Sequence, residues 1–333
     1  MATRSDSNKP LAAGFSPRVA VMALAGWLLI GGASAGSWCP GLQSCGAQAA
    51  EIAAATPWIE KPNISKARLI AGRVATVNSN GSVQQKVAKG QLYAGVELVM
   101  ADGWKTYWRN TGDAAGVPPY FDFKGSLNVR QAKVLYPGPH RFSTPDGDSI
   151  GYKHKVIFPI FLAAKDAGKP MRLKLTMDYG VCSEICVPAR ARFAVTIPPG
   201  AAMPLLSNAP LVSALASVPQ IYGQRLVITN PRGAGKAQPA LQSAVAKDLS
   251  GRHPRILFKV DYPGGLKEAD LFVEGPDEAF VPQPQRVGKA QGNRLTFAID
   301  LTKGADLTEL RGKPLRLTLV SAAGQSEASW LLK

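Results

Sequence analysis

An all-β fold built from sandwiches is predicted for this chain, on three observations. In residues 171–179 the apolar side chains Met171, Leu173, Leu175, Met177 and Tyr179 alternate with Arg172, Lys174, Thr176 and Asp178. Residues 189–197 repeat the pattern, with Ala189, Ala191, Phe193, Val195 and Ile197 on one face. Period-two alternation marks half-buried antiparallel strands, because successive side chains of a strand point to opposite faces. The third observation is punctuation. Turn signals at Asn80-Gly81, Asp102-Gly103, Pro137-Gly138, Asp146-Gly147 and Pro263-Gly264 divide the chain into short apolar segments with few amphipathic helices between them.

The elements follow in chain order. Residues 1–18 hold Arg4, Lys9 and Arg18 against one acid, Asp6, and the apolar run VAVMALAGWLLIGG comes next. A run of this length suits the core of a secretory signal peptide. It is short for a membrane span, which needs roughly 20 apolar residues; a retained anchor is the competing reading. Small-residue cleavage sites stand at ASA, 33–35, and AQA, 47–49, so residues 1–49 are expected to be a signal peptide and the protein to be periplasmic. Further strands are predicted over 67–77, 91–101, 127–136, 152–162, 225–229, 255–262, 295–301, 314–320 and 327–332. The one plausible helix is 203–217, after Pro198-Pro199-Gly200. This gives a first β domain over 58–198, a linker with a short helix over 199–218, and a second sandwich-like domain over 219–333.

A formal charge of +16 suits anionic partners. The basic residues are scattered singly along strands, however, and no basic run is interleaved with aromatics to make a nucleic-acid platform. A solvated basic surface is expected, with no nucleic-acid partner. No cofactor, small-molecule or otherwise, is expected.

Four cysteines are present: Cys39, Cys45, Cys182 and Cys186. Cleavage after AQA removes the first two; cleavage after ASA leaves all four. LQS before Cys45 is a poor lipidation signal. Cys182 and Cys186, with three residues between them in GVCSEICVP, join the two clearest strands. Three readings fit them: reversible redox chemistry, a metal site and an inert staple. A staple over so small a loop adds only about 2 kcal/mol, against about 4.7 for a loop of about 100 residues. Short-loop pairs suit sites that are both oxidised and reduced. A metal reading would join Cys182 and Cys186 to His154 or His140 around Cu(I), which favours soft ligands.

Four segments carry a resemblance: GWKTYWRNTGDAAGVPP at 103–119, YPGPHRF at 136–142, GYKHKVIFPI at 151–160 and DYGVCSEICVP at 178–188. In order and spacing they resemble the N-terminal domain of the thiol–disulfide interchange protein DsbD, especially the variant in ScsB-type proteins of copper-tolerance systems. The resemblance implies an immunoglobulin-like sandwich over about 58–198. It implies that Cys182 and Cys186 are a catalytic pair relaying electrons from a membrane-embedded thiol reductase to thioredoxin-like periplasmic proteins. It also implies an aromatic-bearing cap loop over the sulfurs, for which 137–152, with Phe142 and Tyr152, is the candidate. The cysteine spacing is narrower than in the best-known enterobacterial members. Neither a membrane channel nor a thioredoxin-like CxxC domain is in the sequence, so the electron donor is expected to be a separate protein.

The remaining conspicuous residues have simpler expected roles. Trp104, Tyr107 and Trp108 span both faces of a strand, so structural packing is favoured for them. Arg109 and Asp113 are expected to pair across a turn. Glu184, between the cysteines, can accept a proton locally or repel a thiolate. No helix follows Cys182, so the strong thiolate stabilisation of a helix N-terminus is not expected.

Overall fold

A computed structural model describes residues 54–74, 91–114, 116–144, 147–199, 205–206, 210–221 and 238–333. The expected signal peptide, Cys39, Cys45 and the strand expected over 225–229 lie outside the described residues. Among those described, no helix is long and apolar enough to cross a membrane.

The first module is an immunoglobulin-like β-sandwich. One sheet pairs Ser65–Val74 with Gln91–Met100, then Lys155–Ala164 and Val129–Val134. The other runs Cys186–Ile197, Met171–Cys182, Lys105–Gly112, Gly147–Lys153 and His140–Thr144. Between them Val96, Leu98, Phe158 and Ile160 meet Trp108, Ile150, Leu173, Leu175 and Met177. The alternation read at 171–179 and 189–197 is thus the inward set of an edge hairpin. The expected helix is shorter, Pro210–Ala216. Its Leu211, Val212 and Leu215 cover Ile70, Tyr93 and Ile157 on the outer face of the first sheet. Gly95 permits that approach, since a Cβ there would lie 2.8 Å from Leu211 Cδ1.

The second module holds two further sheets. One orders Gln220–Ile221, Gly324–Leu331, Pro314–Ser321 and Asp270–Glu274; the other orders Ala240–Lys247, Arg255–Asp261, Arg294–Asp300 and Gln285–Gln291. Phe258, Phe297, Leu271, Val273, Leu317 and Leu319 fill its core.

The two modules share a packed junction. In Asp270–Glu274, Leu271 and Val273 turn to their own core while Phe272 joins the core of the first module, its ring centroid 5.9 Å from that of Trp108. The flanking acids of that strand meet arginines. Glu274 accepts two hydrogen bonds from Arg109 Nε and one from Arg109 Nη2, and Glu327 accepts another at 2.6 Å. Asp270 accepts from Arg141 at 2.9 and 3.0 Å, and Asp148 accepts from the same guanidinium at 2.7 Å. The pairing expected between Arg109 and Asp113 does not form. Arg109 finds two carboxylates and the face of Trp108 at the junction, whereas Asp113 Oδ1 accepts the backbone N–H of Gln283 at 2.9 Å. Burial opposes the charge on Arg109, but Glu274 and Glu327 outweigh it and hold the guanidinium above its ordinary pKa.

Phe272→Ala is expected to lower the unfolding free energy by about 3–5 kcal/mol, the usual loss for a buried phenylalanine. Urea denaturation measures it. A loss below about 1 kcal/mol would mean that this ring is not part of the first module's core.

Candidate functional site

The site grows from the edge hairpin. Met171–Cys182 and Cys186–Ile197 pair in continuous register, from Met171 opposite Ile197 to Cys182 opposite Cys186. Residues 183–185 close the turn, with the Ser183 N–H donating to Ile185 O at 3.0 Å. Tyr179 and Val181 point into the core, so period two sends Gly180 and Cys182 to the outer face. Directly opposed residues share a face, and the two cysteines, with Cα atoms 4.1 Å apart, form a disulfide. The two sulfurs have unequal surroundings. Cys182 is 2% exposed, while Cys186 and the turn residues Ser183, Glu184 and Ile185 are exposed.

The neighbouring strand Lys105–Gly112 supplies the floor. Lys105 stands opposite Cys182 and Thr106 opposite Val181. Thr106 Oγ1 donates to Gly180 O at 2.8 Å, which fixes the strand against the hairpin. Tyr107, buried, places its hydroxyl 3.4 Å from Cys186 Sγ. A disulfide sulfur carries no proton, so the hydroxyl is the donor. Burial pushes the phenol pKa up, so the group stays protonated at neutral pH.

Two glycines shape the seat of that ring. A Cβ on Gly116 would lie 2.5 Å from the Tyr107 ring, and one on Gly180 would lie 3.1 Å from Val117 Cβ. Residues 116–119 therefore lie over Tyr107 and the base of the hairpin, held by the Gly180 N–H donating to Val117 O at 3.4 Å.

The segment expected as a cap takes another form. His140–Thr144 and Gly147–Lys153 pair as sheet strands. Tyr152 alternates inward with Ile150, its ring 5.5 Å from that of Phe158 and its hydroxyl donating to Pro137 O at 2.7 Å. It is a core residue rather than a cap. Phe142 sits on the far strand of the sheet, half-buried. Its ring takes the ammonium groups of Lys153 at 4.6 Å and Lys105 at 5.7 Å. Lys105 also donates to Ser149 Oγ at 2.8 Å; burial first, then the charge of Lys153, lowers its pKa. Beside the sulfurs lies Tyr107, with residues 116–119 over its ring. Its sequence signal was the close set Trp104, Tyr107 and Trp108, read as packing.

Neither histidine joins the cysteines in a metal-holding group. His140 is exposed opposite Gly151, and His154, also exposed, has Nδ1 3.7 Å from Asp102 Oδ1. Among the described residues, no group of three or more His, Cys, Asp or Glu side chains could hold a metal ion. What the arrangement can do is thiol chemistry: an accessible sulfur, a buried partner sulfur behind it and a protonated hydroxyl beside it.

Comparison with known proteins agrees with that chemistry. Residues 74–198 match the family model described as the thiol:disulfide interchange protein DsbD, N-terminal, and residues 231–332 match a domain of unknown function, DUF8393. No curated protein matches the chain. The crystal structure of the N-terminal periplasmic domain of ScsB from Proteus mirabilis superposes with a TM-score of 0.54 at 19% identity, covering 84% of this chain and 98% of that one. At that identity the likeness is one of fold, and its coverage takes in both modules. Residues 74–198, which carry the Cys182–Cys186 pair at the end of an edge hairpin, are a DsbD-type N-terminal domain.

Proposed function

We propose that this protein is a periplasmic thiol–disulfide exchange protein, passing electrons from a membrane-embedded thiol reductase to thioredoxin-like partners through Cys182 and Cys186. The observation that carries the reading is the asymmetry of the pair. Cys186 is exposed, with a hydroxyl donor at 3.4 Å, and Cys182 is buried behind it.

The chemistry runs in two exchanges. A thiolate of the donor attacks Cys186 Sγ; the new intermolecular S–S bond forms as the Cys182–Cys186 bond breaks, and Cys182 leaves as a thiolate that takes a proton. The donor's second thiolate then attacks its own bridged sulfur, releasing Cys186. The donor is oxidised to a disulfide and this protein is reduced by two electrons and two protons. In the second exchange, the Cys186 thiolate attacks the acceptor's disulfide and Cys182 resolves the mixed disulfide, which restores the Cys182–Cys186 bond. Tyr107 donates its hydroxyl proton in a hydrogen bond to Cys186 whenever that sulfur is a thiolate, as attacking or as leaving group. Ile185 and Val117, 67% and 49% exposed, give an apolar rim for the docked partner.

A staple role is poorly served by the geometry. The strands on either side of the bond are each twelve residues long and pair along their whole length, so the hairpin has its own means of cohesion.

Three outcomes are expected. Cys182→Ala, but not Cys186→Ala, accumulates mixed disulfides with thioredoxin-like proteins in periplasmic extract, read on non-reducing gels; the reverse pattern would exchange the roles of the two sulfurs. In glutathione or dithiothreitol buffers the pair titrates at about −180 to −270 mV without loss of fold, whereas resistance below about −300 mV until unfolding would mark a staple. Tyr107→Phe slows alkylation of Cys186 in the reduced protein about fivefold at neutral pH. That corresponds to roughly 1 kcal/mol for a hydrogen bond to a charged sulfur at an exposed position; an unchanged rate would leave the hydroxyl with packing alone.

A further inference from the structure

Among the described residues the second module makes no hydrogen bond or ion pair to either cysteine, yet it holds the two chain segments that hold Tyr107. Arg109 lies two residues after Tyr107 on the same strand and is gripped by Glu274 and Glu327 of the second module. Asp113 lies three residues before Gly116 and accepts the backbone N–H of Gln283. The backbone N–H groups of Asp113 and Ala114 both donate to Asp148 O, and Asp148 in turn bonds Arg141 and Gln285 Nε2. The strand and the loop that enclose the Tyr107 ring are thus both tethered outside the module they belong to.

The sheet makes those tethers matter. Pairing between Lys105–Gly112 and Gly147–Lys153 is regular from Lys105 to Tyr107, then slips before Gly112. Arg109 sits within the slipped stretch, where the ladder does not fix its position, and its guanidinium is clamped by side chains instead. A bulge of this kind re-aims the side chains beside it. The contact that depends on that aim is the 3.4 Å approach of the Tyr107 hydroxyl to Cys186 Sγ.

We infer that the second module is a positioning device for the redox pair. Through Arg109, and through Gln283 on Asp113, it sets the approach of the Tyr107 hydroxyl to Cys186 and so the reactivity of that sulfur. Arg109 and Asp113 are positioning residues, since neither touches the sulfurs. The inference rests on the exchange reading only for its biological use, and its physical content is tested separately.

The test measures alkylation of Cys186 by iodoacetamide at neutral pH in the full chain carrying Cys182→Ala, which keeps Cys186 a free thiol whatever the fate of the disulfide. Arg109→Ala and, independently, Asp113→Ala are expected to slow alkylation about threefold, and Arg109→Lys, which keeps the charge for Glu327, is expected to restore most of the rate. In the Tyr107→Phe background Arg109→Ala adds nothing further, because interacting residues on one path are not additive. With both cysteines present, Arg109→Ala shifts the reduction potential in the same direction as Tyr107→Phe. Glu274→Gln, a milder change made wholly within the second module, gives the same sign if Arg109→Ala fails to fold. An unchanged alkylation rate and potential in folded variants, or an effect that adds to that of Tyr107→Phe, overturns the inference. A disulfide that yields only on unfolding, with the alkylation pattern as expected, overturns the exchange reading and leaves the positioning intact.

Discussion

The grip of Glu274 and Glu327 on Arg109 is the interaction around which the rest of the molecule is arranged. Its guanidinium and the two carboxylates are each less than one-fifth exposed. Groups so withdrawn from water gain little net stability over a well-packed apolar contact, yet breaking one partner away is costly, on the order of 3–5 kcal/mol. Such a pair is better at choosing one geometry than at holding a fold together. Phe272 beside it supplies cohesion, and Arg141 with Asp270 and Asp148 repeats the device two strands away in the same sheet. Together they fix the face of one sandwich on the other, with the strand Lys105–Gly112, which carries Tyr107, lying at the seam.

Much of the first sandwich was legible in sequence because its strands have one wet face. Met171–Cys182 and Cys186–Ile197 alternate cleanly, and in the structure they run on to the cysteines. Strands without that asymmetry were harder to bound or escaped notice. Lys105–Gly112 carries Trp108 into the core and Tyr107 and Arg109 into burial on its other side, so no polar face remains to mark the period. In Asp270–Glu274 three consecutive residues, Leu271, Phe272 and Val273, are buried between two cores. Gln285–Gln291 fails for the opposite cause, since it is exposed throughout.

The candidate site was legible in its sulfurs and not in its surroundings. Two cysteines with three residues between them, joining strong strands, are a local signal. Tyr107 meets Cys186 across 79 residues of sequence, and Arg109 meets Glu274 across 165; nothing local encodes either meeting. Tyr152 was assigned to a loop because Asp146-Gly147 reads as a turn whether its flanks are free or paired. The difference lies in Ile150 and Tyr152, whose inward alternation makes the segment a strand.

The position of the sulfurs at the very end of a fully paired hairpin has a consequence for recognition. Opening a ring at the tip releases no segment, because the ladder behind it, from Val181 opposite Val187 back to Met171 opposite Ile197, is already complete. Oxidised and reduced forms then present nearly the same silhouette. A partner cannot sort them by shape and must sort them by consummated reaction, so a futile encounter between two molecules in matching redox states ends only by dissociation. Short residence, rather than exclusion, is what such a surface must provide, and a rim of two apolar side chains, Ile185 and Val117, is of the right modest size to provide it.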